Sequence, residues 1–346
     1  MADIQELCSK YDTSDYLNLL MEFADQVKEG VDRGRSIAPD GSDYDSVLVC
    51  GMGGSAIAGD LLSQYFFYKS SVPVKTNRFY RVPAWVDDNT LVIIVSYSGN
   101  TEETLNAFKD AYRCDADCVA VTSGGQLGDR VQEHDLPIVP VPDDIPPRAA
   151  AAYLFVPLLF LLDNAGLAEA PAENIINNTC NHLKDLADEL HPDNTDNAAL
   201  GIARELEGKI PIVYGSEEVT AVLAKRFKNQ LNENAKVFAV YNVFPEMNHN
   251  EIMGIDHLED HPERYAAVLL RDNGEHSRVQ KRFEIVSELL EGSVSSLSEI
   301  NSRGRSLFAR FLTLMLHTDF VSYYLALLNR QDPTSIGYIN ELKERL

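Results

Sequence analysis

Short runs of nearly continuous apolar residues, each followed by a longer segment of helical periodicity, leave this chain few folds to choose from. In the first half they are Ser46–Gly51, Val72–Thr76, Leu91–Ser96, Cys118–Thr122 and Pro137–Val141. Helical patterns separate them at about 55–67, 101–113 and 126–133. A strand that is apolar at successive rather than alternate positions is covered on both faces, and strands separated by helices pair in parallel. A strongly apolar helix is predicted over 148–164. A polar helix from Pro171 to about Leu190 and the loop His191-Pro-Asp-Asn-Thr-Asp196 then lead into a second series. It holds a strand at Lys209–Ser216, a helix to about Leu231, strands near 236–241 and 265–271, a helix near 275–290, a short strand near 293–297 and a long helix near 304–328. The order of the first half is repeated with weaker turns, which reads as a degenerate internal repeat. The expected fold class is α/β, with two subdomains that each contain a parallel sheet flanked by helices. An N-terminal helical arm occupies 1–40, with Tyr16, Leu19, Leu20, Phe23 and Val27 on one face. The first domain spans 41–165, a linker helix 166–205 and the second domain 206–346.

At 346 residues and 45% hydrophobic content the chain has material for two packed cores. Its charge narrows the functions open to it. With 30 Lys and Arg against 53 Asp and Glu, the formal net charge is −23, a field that repels nucleic acid and anionic membranes. An anionic substrate would need a local pocket of donors. The acidity fits either general solubility or a high-salt cytoplasm, where screening over a few Å removes the self-repulsion. Five cysteines, thinly spread, fit reduced thiols, and Cys114 and Cys118 lack a second pair at zinc-ligand spacing. The N-terminus MADIQELCSKYD has neither a basic start nor an apolar run, and no charge-free apolar stretch of about 18 residues occurs. The expected location is the cytoplasm.

Two polar turns carry the chemistry. Gly51-Met-Gly-Gly-Ser-Ala56 fits the dinucleotide pattern G-x-G-x-x-A between a strand and a helix. The acidic residue that would hold a ribose about 20 positions on is missing from Val74-Lys-Thr-Asn-Arg78, so a nucleotide dehydrogenase is the lesser reading. The second turn, Ser96-Tyr-Ser-Gly-Asn-Thr101, sets three hydroxyls at a helix start, where unpaired N–H groups and the dipole favour an anion. An ordinary N-cap by Thr101 is the competing explanation. With Gly54 and Ser55 from the first turn, Ser96, Ser98 and Thr101 read as a cradle for one phosphate.

These segments resemble a known family. Cys50-Gly-Met-Gly-Gly-Ser-Ala-Ile-Ala-Gly-Asp60 and Ser96-Tyr-Ser-Gly-Asn-Thr-Glu-Glu-Thr104 are similar to the phosphate-binding signatures of sugar-isomerase (SIS) domains. Pro147-Arg-Ala-Ala150, Phe227-Lys-Asn-Gln-Leu-Asn-Glu-Asn-Ala-Lys236 and Pro245-Glu-Met-Asn-His-Asn250 narrow the resemblance to the bifunctional phosphoglucose/phosphomannose isomerases. It runs from about residue 45 to the C-terminus. The resemblance implies two SIS-type, flavodoxin-like subdomains, a phosphorylated hexose as substrate, no cofactor and no metal, and a homodimer.

Aldose-ketose interconversion moves a proton between adjacent carbons through an enediolate, so it needs a base beside both carbons and a positive group near the oxyanion. Glu233, between Asn232 and Asn234 just after a helix, is the candidate base, and the flanking amides could hold its carboxylate without neutralising it. The resemblance makes Arg148 the enediolate-stabilising cation, His249 the ring-opening histidine contributed by the partner subunit, and Lys343 a helper at the ring oxygen. Asn248 stands where relatives often have a second histidine. Ile336 stands where some relatives have a threonine thought to make room for either epimer at carbon 2. Two other classes remain open: a metal site among His249, Glu251, His257, Asp260 and His261, and a non-catalytic sugar-phosphate sensor, for which the phosphate turns suffice.

Overall fold

The computed structural model describes residues 4–39, 41 and 43–345. Packing divides the chain into two compact units: Ala24–Cys180, and the residues up to Phe23 together with those from Asn181 onward.

The first unit carries a five-stranded sheet of β1 (Ser46–Cys50), β2 (Val74–Asn77), β3 (Thr90–Val95), β4 (Asp117–Thr122) and β5 (Ile138–Pro140). All pairings are parallel, in the order β2-β1-β3-β4-β5. Helices α4 (Gly53–Tyr65), α5 (Glu102–Arg113) and α6 (Gly125–Glu133) pack on it; α7 (Ala151–Asn164) packs on α4, and Gly30 and Gly34 of α3 (Phe23–Arg35) lie against α7. Every residue of β3 is buried, as the unbroken apolar run requires. Leu48, Cys50, Val92 and Ile94 pack with Leu105, Phe108, Leu127 and Val131 of α5 and α6. Each such side chain stabilises the fold by about 1.5–3 kcal/mol. The strand order reverses between β1 and β3, and in open parallel sheets ligands bind at the carboxyl ends of the strands at such a switch point. Cys50 lies level with Ile94, so the two predicted turns leave neighbouring strands side by side.

The second unit repeats the plan with β6 (Ile210–Ser216), β7 (Val240–Phe244), β8 (Tyr265–Arg271) and β9 (Leu297–Asn301), parallel in the order β7-β6-β8-β9. Around them lie α1 (Ile4–Tyr11), α2 (Tyr16–Met21), α9 (Ala198–Leu206), α10 (Ala221–Glu233), α11 (Ile255–Asp260), α12 (Ser277–Leu290), α13 (Leu307–Leu328) and α14 (Gly337–Arg345). Helix α8 (Glu173–Glu189) contains the boundary. By length and composition α13 could cross a membrane, but 94% of its most apolar window is buried in the protein, where it packs against α9, α10, α1 and α2.

Several local expectations need correction. The strand expected at 236–241 is Val240–Phe244, because Lys236 takes a positive φ of 57° and the Val237 N–H returns to Leu231 O (3.2 Å) to close α10. The strand expected at 293–297 is Leu297–Asn301, an edge strand that alternates buried and exposed residues and so lacks an apolar run. The arm, whose apolar face runs from Tyr16 to Val27, is broken at Glu22 between α2 and α3.

Candidate active site

In the first unit the turn after β1 passes through Gly51 and Met52 into α4. A side chain at Gly51 would place Cβ 2.9 Å from Val95 O, and Gly53 has φ +51°, so glycine is required for the close approach and the turn. Ser55 is buried, and its hydroxyl accepts the Tyr97 N–H at 3.3 Å, tying this turn to the one after β3. There the Ser96 hydroxyl donates to Thr101 Oγ1 (3.2 Å), and the Asn100 N–H donates to Ser98 Oγ (3.3 Å). Thr101 is the N-cap residue of α5 but makes no side-chain cap bond, which removes the reading of this turn as an ordinary N-cap. Helix α4 likewise has no side-chain cap at Met52. Two helix starts therefore face the strand ends with their first N–H groups uncapped by side chains, a fitting environment for an anion.

Arg148 belongs to the same unit. The predicted helix over 148–164 begins only at Ala151; residues 148–150 form a turn in which the Ala149 N–H bonds Pro146 O at 2.8 Å. Arg148 is 7% exposed, so it is drawn inside rather than extended to solvent. Its backbone lies against the first turn: a Cβ on Gly54 would sit 3.2 Å from Pro147 O and 3.6 Å from Arg148 Cα. Gly54, Ser55, Ser96, Thr101 and Arg148 are thus assembled around two adjacent loops, with the exposed Ser98 beside them.

Glu233, His249 and Lys343 belong to the other unit. Glu233 is the last residue of α10, half-buried. Three polar residues at four-residue spacing, Arg226, Gln230 and Asn234, face α13. The Arg226 guanidinium pairs with both carboxylate oxygens of Asp319, one at 2.9 Å, and Gln230 Nε2 donates to the same carboxylate at 2.9 Å. Asn234 Nδ2 donates to Ser322 Oγ (3.0 Å) and to Tyr16 OH (3.2 Å), and Asn232 Nδ2 to Val237 O (2.7 Å). These donors fix the helix end. Lys236 completes that end, its Nζ donating to the carbonyls of Glu233 (2.7 Å), Asn234 (3.1 Å) and Asp332 (2.8 Å). It satisfies carbonyls that a helix C-terminus leaves open and ties them to the segment leading into α14.

His249 closes a short 3₁₀ turn, Glu246–His249, anchored by the buried Met247, and its own side chain is exposed. Asn248 accepts from Arg282 (3.1 Å). Glu251 is taken up by Tyr214 OH (2.9 Å) and Asn242, and burial, with this carboxylate beside it, raises the Tyr214 phenol. Among the described residues no group of three His, Cys, Asp or Glu converges as a metal site would require. Lys343 is exposed on α14, a helix with no buried residue.

Residues 42–163 match the SIS domain family, and residues 195–346 match the bacterial phospho-glucose isomerase C-terminal SIS domain family. The bifunctional phosphoglucose/phosphomannose isomerase of Caldicellulosiruptor bescii is 40% identical over 93% of this chain and 96% of its own length. The chain belongs to the bifunctional phosphoglucose/phosphomannose isomerase family. Its relative in Thermoplasma acidophilum is 35% identical over 94% of this chain and 98% of that protein. The fold is shared with a glucose-6-phosphate isomerase like protein from Thermus thermophilus, at a TM-score of 0.66 and 18% identity over 98% of this chain and all of that one.

For a member of this family, the residue that sequence reasoning passed over is Tyr97. Its N–H meets Ser55, its carbonyl accepts Ser123 N–H (3.0 Å) and Ser123 Oγ (2.7 Å), and its phenol accepts the Ile145 N–H (3.2 Å). One buried tyrosine thereby links both phosphate turns, the loop after β4 and the segment leading to Arg148. Burial, then Asp144 and Asp143, raise its phenol, keeping it a neutral structural group. The only sequence signal was an aromatic residue inside a polar turn.

Proposed function

We propose that the chain interconverts glucose 6-phosphate, and also mannose 6-phosphate, with fructose 6-phosphate by proton transfer through a cis-enediolate. The observation that carries the reading is the seating of the Arg148 segment on Gly54: it gives the phosphate turns a buried cation in their own unit. Ser55, Ser96, Ser98 and Thr101 hold the phosphate. Glu233 moves the proton between carbons 1 and 2, Arg148 stabilises the enediolate oxygen, and His249 and Lys343 pass the proton that opens the ring. The exchange is redox-neutral within the substrate, so its balance calls for no external electron carrier. The enzyme acts as a cytoplasmic homodimer in which His249 reaches the partner's substrate. The motif around His249 and the exposure of its side chain support that arrangement. A high-salt cytoplasm accounts for the net charge of −23.

The test is turnover of the purified protein in EDTA, at low and at molar salt, with each aldose phosphate assayed separately for fructose 6-phosphate. Activity on both substrates is expected. Activity on glucose 6-phosphate alone would show that Ile336 restricts the second epimer, and folded protein silent on both would leave a sensor or another sugar phosphate.

A further inference from the structure

Two clefts open along α5 of the first unit. One, of about 450 Å³, is lined by Tyr80, Arg81, Asn106, Lys109, Asp110 and Arg113. The other, of about 260 Å³, shares Asn106 and Lys109 and adds Arg130, with Asn100 and Glu102 at the end nearest the substrate turn. We propose that these clefts bind an oligophosphate, a chain of two or more linked phosphates, at a site distinct from the sugar-phosphate cradle.

The argument starts from charge. In a chain with a net charge of −23, carboxylates are abundant partners for any cation. Yet among the described residues none of Arg81, Lys109, Arg113 and Arg130 makes an ion pair or a side-chain hydrogen bond. Asn106, Lys109, Asp110 and Arg113 follow at three- and four-residue spacing and so share one face of α5. The acid within the larger cleft is already engaged, since the Asp110 carboxylate accepts the Val82 N–H at 3.1 Å. That bond holds the 79–82 loop against the helix. From the other side Asn77, only 4% exposed, donates to Arg81 O (3.1 Å) and Phe79 O (3.3 Å). The loop presenting Tyr80 and Arg81 is therefore fixed before any ligand arrives, which reduces the ordering cost of binding.

Several cations along two adjoining clefts match a ligand whose charges are spread along its length better than a single phosphate, and guanidinium groups suit phosphate oxygens in particular. Tyr80, 50% exposed, adds a ring face on which a nucleobase could stack. Inorganic oligophosphate and nucleotide share the recognised chemistry, and titration tells the two sources apart.

The experiment is calorimetric titration of the full chain with tripolyphosphate and, separately, with ATP, in the absence and presence of saturating fructose 6-phosphate. A binding event that survives the sugar phosphate and weakens with salt is expected. It should weaken at least tenfold in Lys109→Glu/Arg113→Glu and in the milder Lys109→Met/Arg113→Gln, with sugar-phosphate turnover and KM unchanged. Equal affinity for the two probes assigns recognition to the phosphate chain. Tighter ATP binding that Tyr80→Ala abolishes assigns part of it to the ring. Absence of binding to the wild type, displacement by fructose 6-phosphate, or equal binding by the variants would overturn the proposal. The variant comparison does not depend on the isomerase reading, so the two ideas fail separately.

Discussion

The two sheets run to the same kind of switch point and end in opposite chemistry. After β1 and β3 the loops are built of glycine and hydroxyl residues, and the helices that follow have no side-chain caps. After β6 and β8 the corresponding loops read Ser216-Glu-Glu-Val-Thr220 and Asp272-Asn-Gly-Glu-His276. There the Ser216 hydroxyl accepts the N–H groups of Val219 and Thr220 (3.3 Å each), Asp272 accepts from Gly274 N–H (2.7 Å) and pairs with Arg310 (2.9 Å), and the His276 ring caps α12 through the Arg278 N–H (3.1 Å). Glu218 accepts the His276 N–H at 2.9 Å. Glu275 is buried among them. Helix α10 also starts without a side-chain cap, but here the loop side chains bond N–H groups of their own loops and set carboxylates at the strand ends, which disfavours an anion. One topology, used twice, keeps the loops suited to phosphate in one copy, while the proposed base Glu233 lies in the other.

The largest effect separates these two roles. Glu233→Gln should lower kcat by about 10²–10⁴-fold, the range for loss of a positioned base, while a sugar-phosphate competitor binds as before. Equal loss of binding would instead place Glu233 in recognition. Next comes the frame of the second unit: Asp319→Ala leaves the Arg226 guanidinium buried, 4% exposed, without its carboxylate. It should cost about 3–5 kcal/mol, read by denaturant unfolding. A loss under about 1 kcal/mol would mean that water or another acid takes over.

The fold was legible because buried parallel strands announce themselves as apolar runs, and the strands that misled were the edge strands, whose half-exposed residues break the run. The phosphate turns were legible because glycine and hydroxyls at a strand-to-helix junction have few other uses. The supports were not. Tyr97, Lys236 and the Arg226–Asp319 pair act through contacts between residues distant in sequence, 93 positions apart in the last case, and no local pattern encodes them.

A smaller effect probes the acidic copy. Burial pushes the Glu275 carboxyl up from 4.5 to about 7, so its charged form is disfavoured in the fold. Between those values the unfolded chain releases the proton while the folded chain keeps it. Stability therefore falls as pH rises from about 4.5 to 7, by about 2–3 kcal/mol in all. Glu275→Gln should remove this loss, so its advantage over the wild type in thermal melts grows between about pH 5 and pH 8. A constant difference across that range would show that Glu275 is not the group responsible.

The smallest expected effect bears most directly on why the hydroxyl turns differ from the acidic ones. If Thr101 were an N-cap, replacing it with valine would destabilise α5 by about 1 kcal/mol and leave substrate binding alone. Its side chain makes no cap bond and instead accepts from Ser96 at 3.2 Å. Thr101→Val should therefore raise KM for the sugar phosphate by about tenfold, the value of one hydrogen bond to a charged group at the lower end of its range, with the unfolding midpoint nearly unchanged. The opposite split, a lower midpoint with KM intact, would return this turn to ordinary helix capping and would leave Ser55, Ser96 and Ser98 to account for phosphate binding without it.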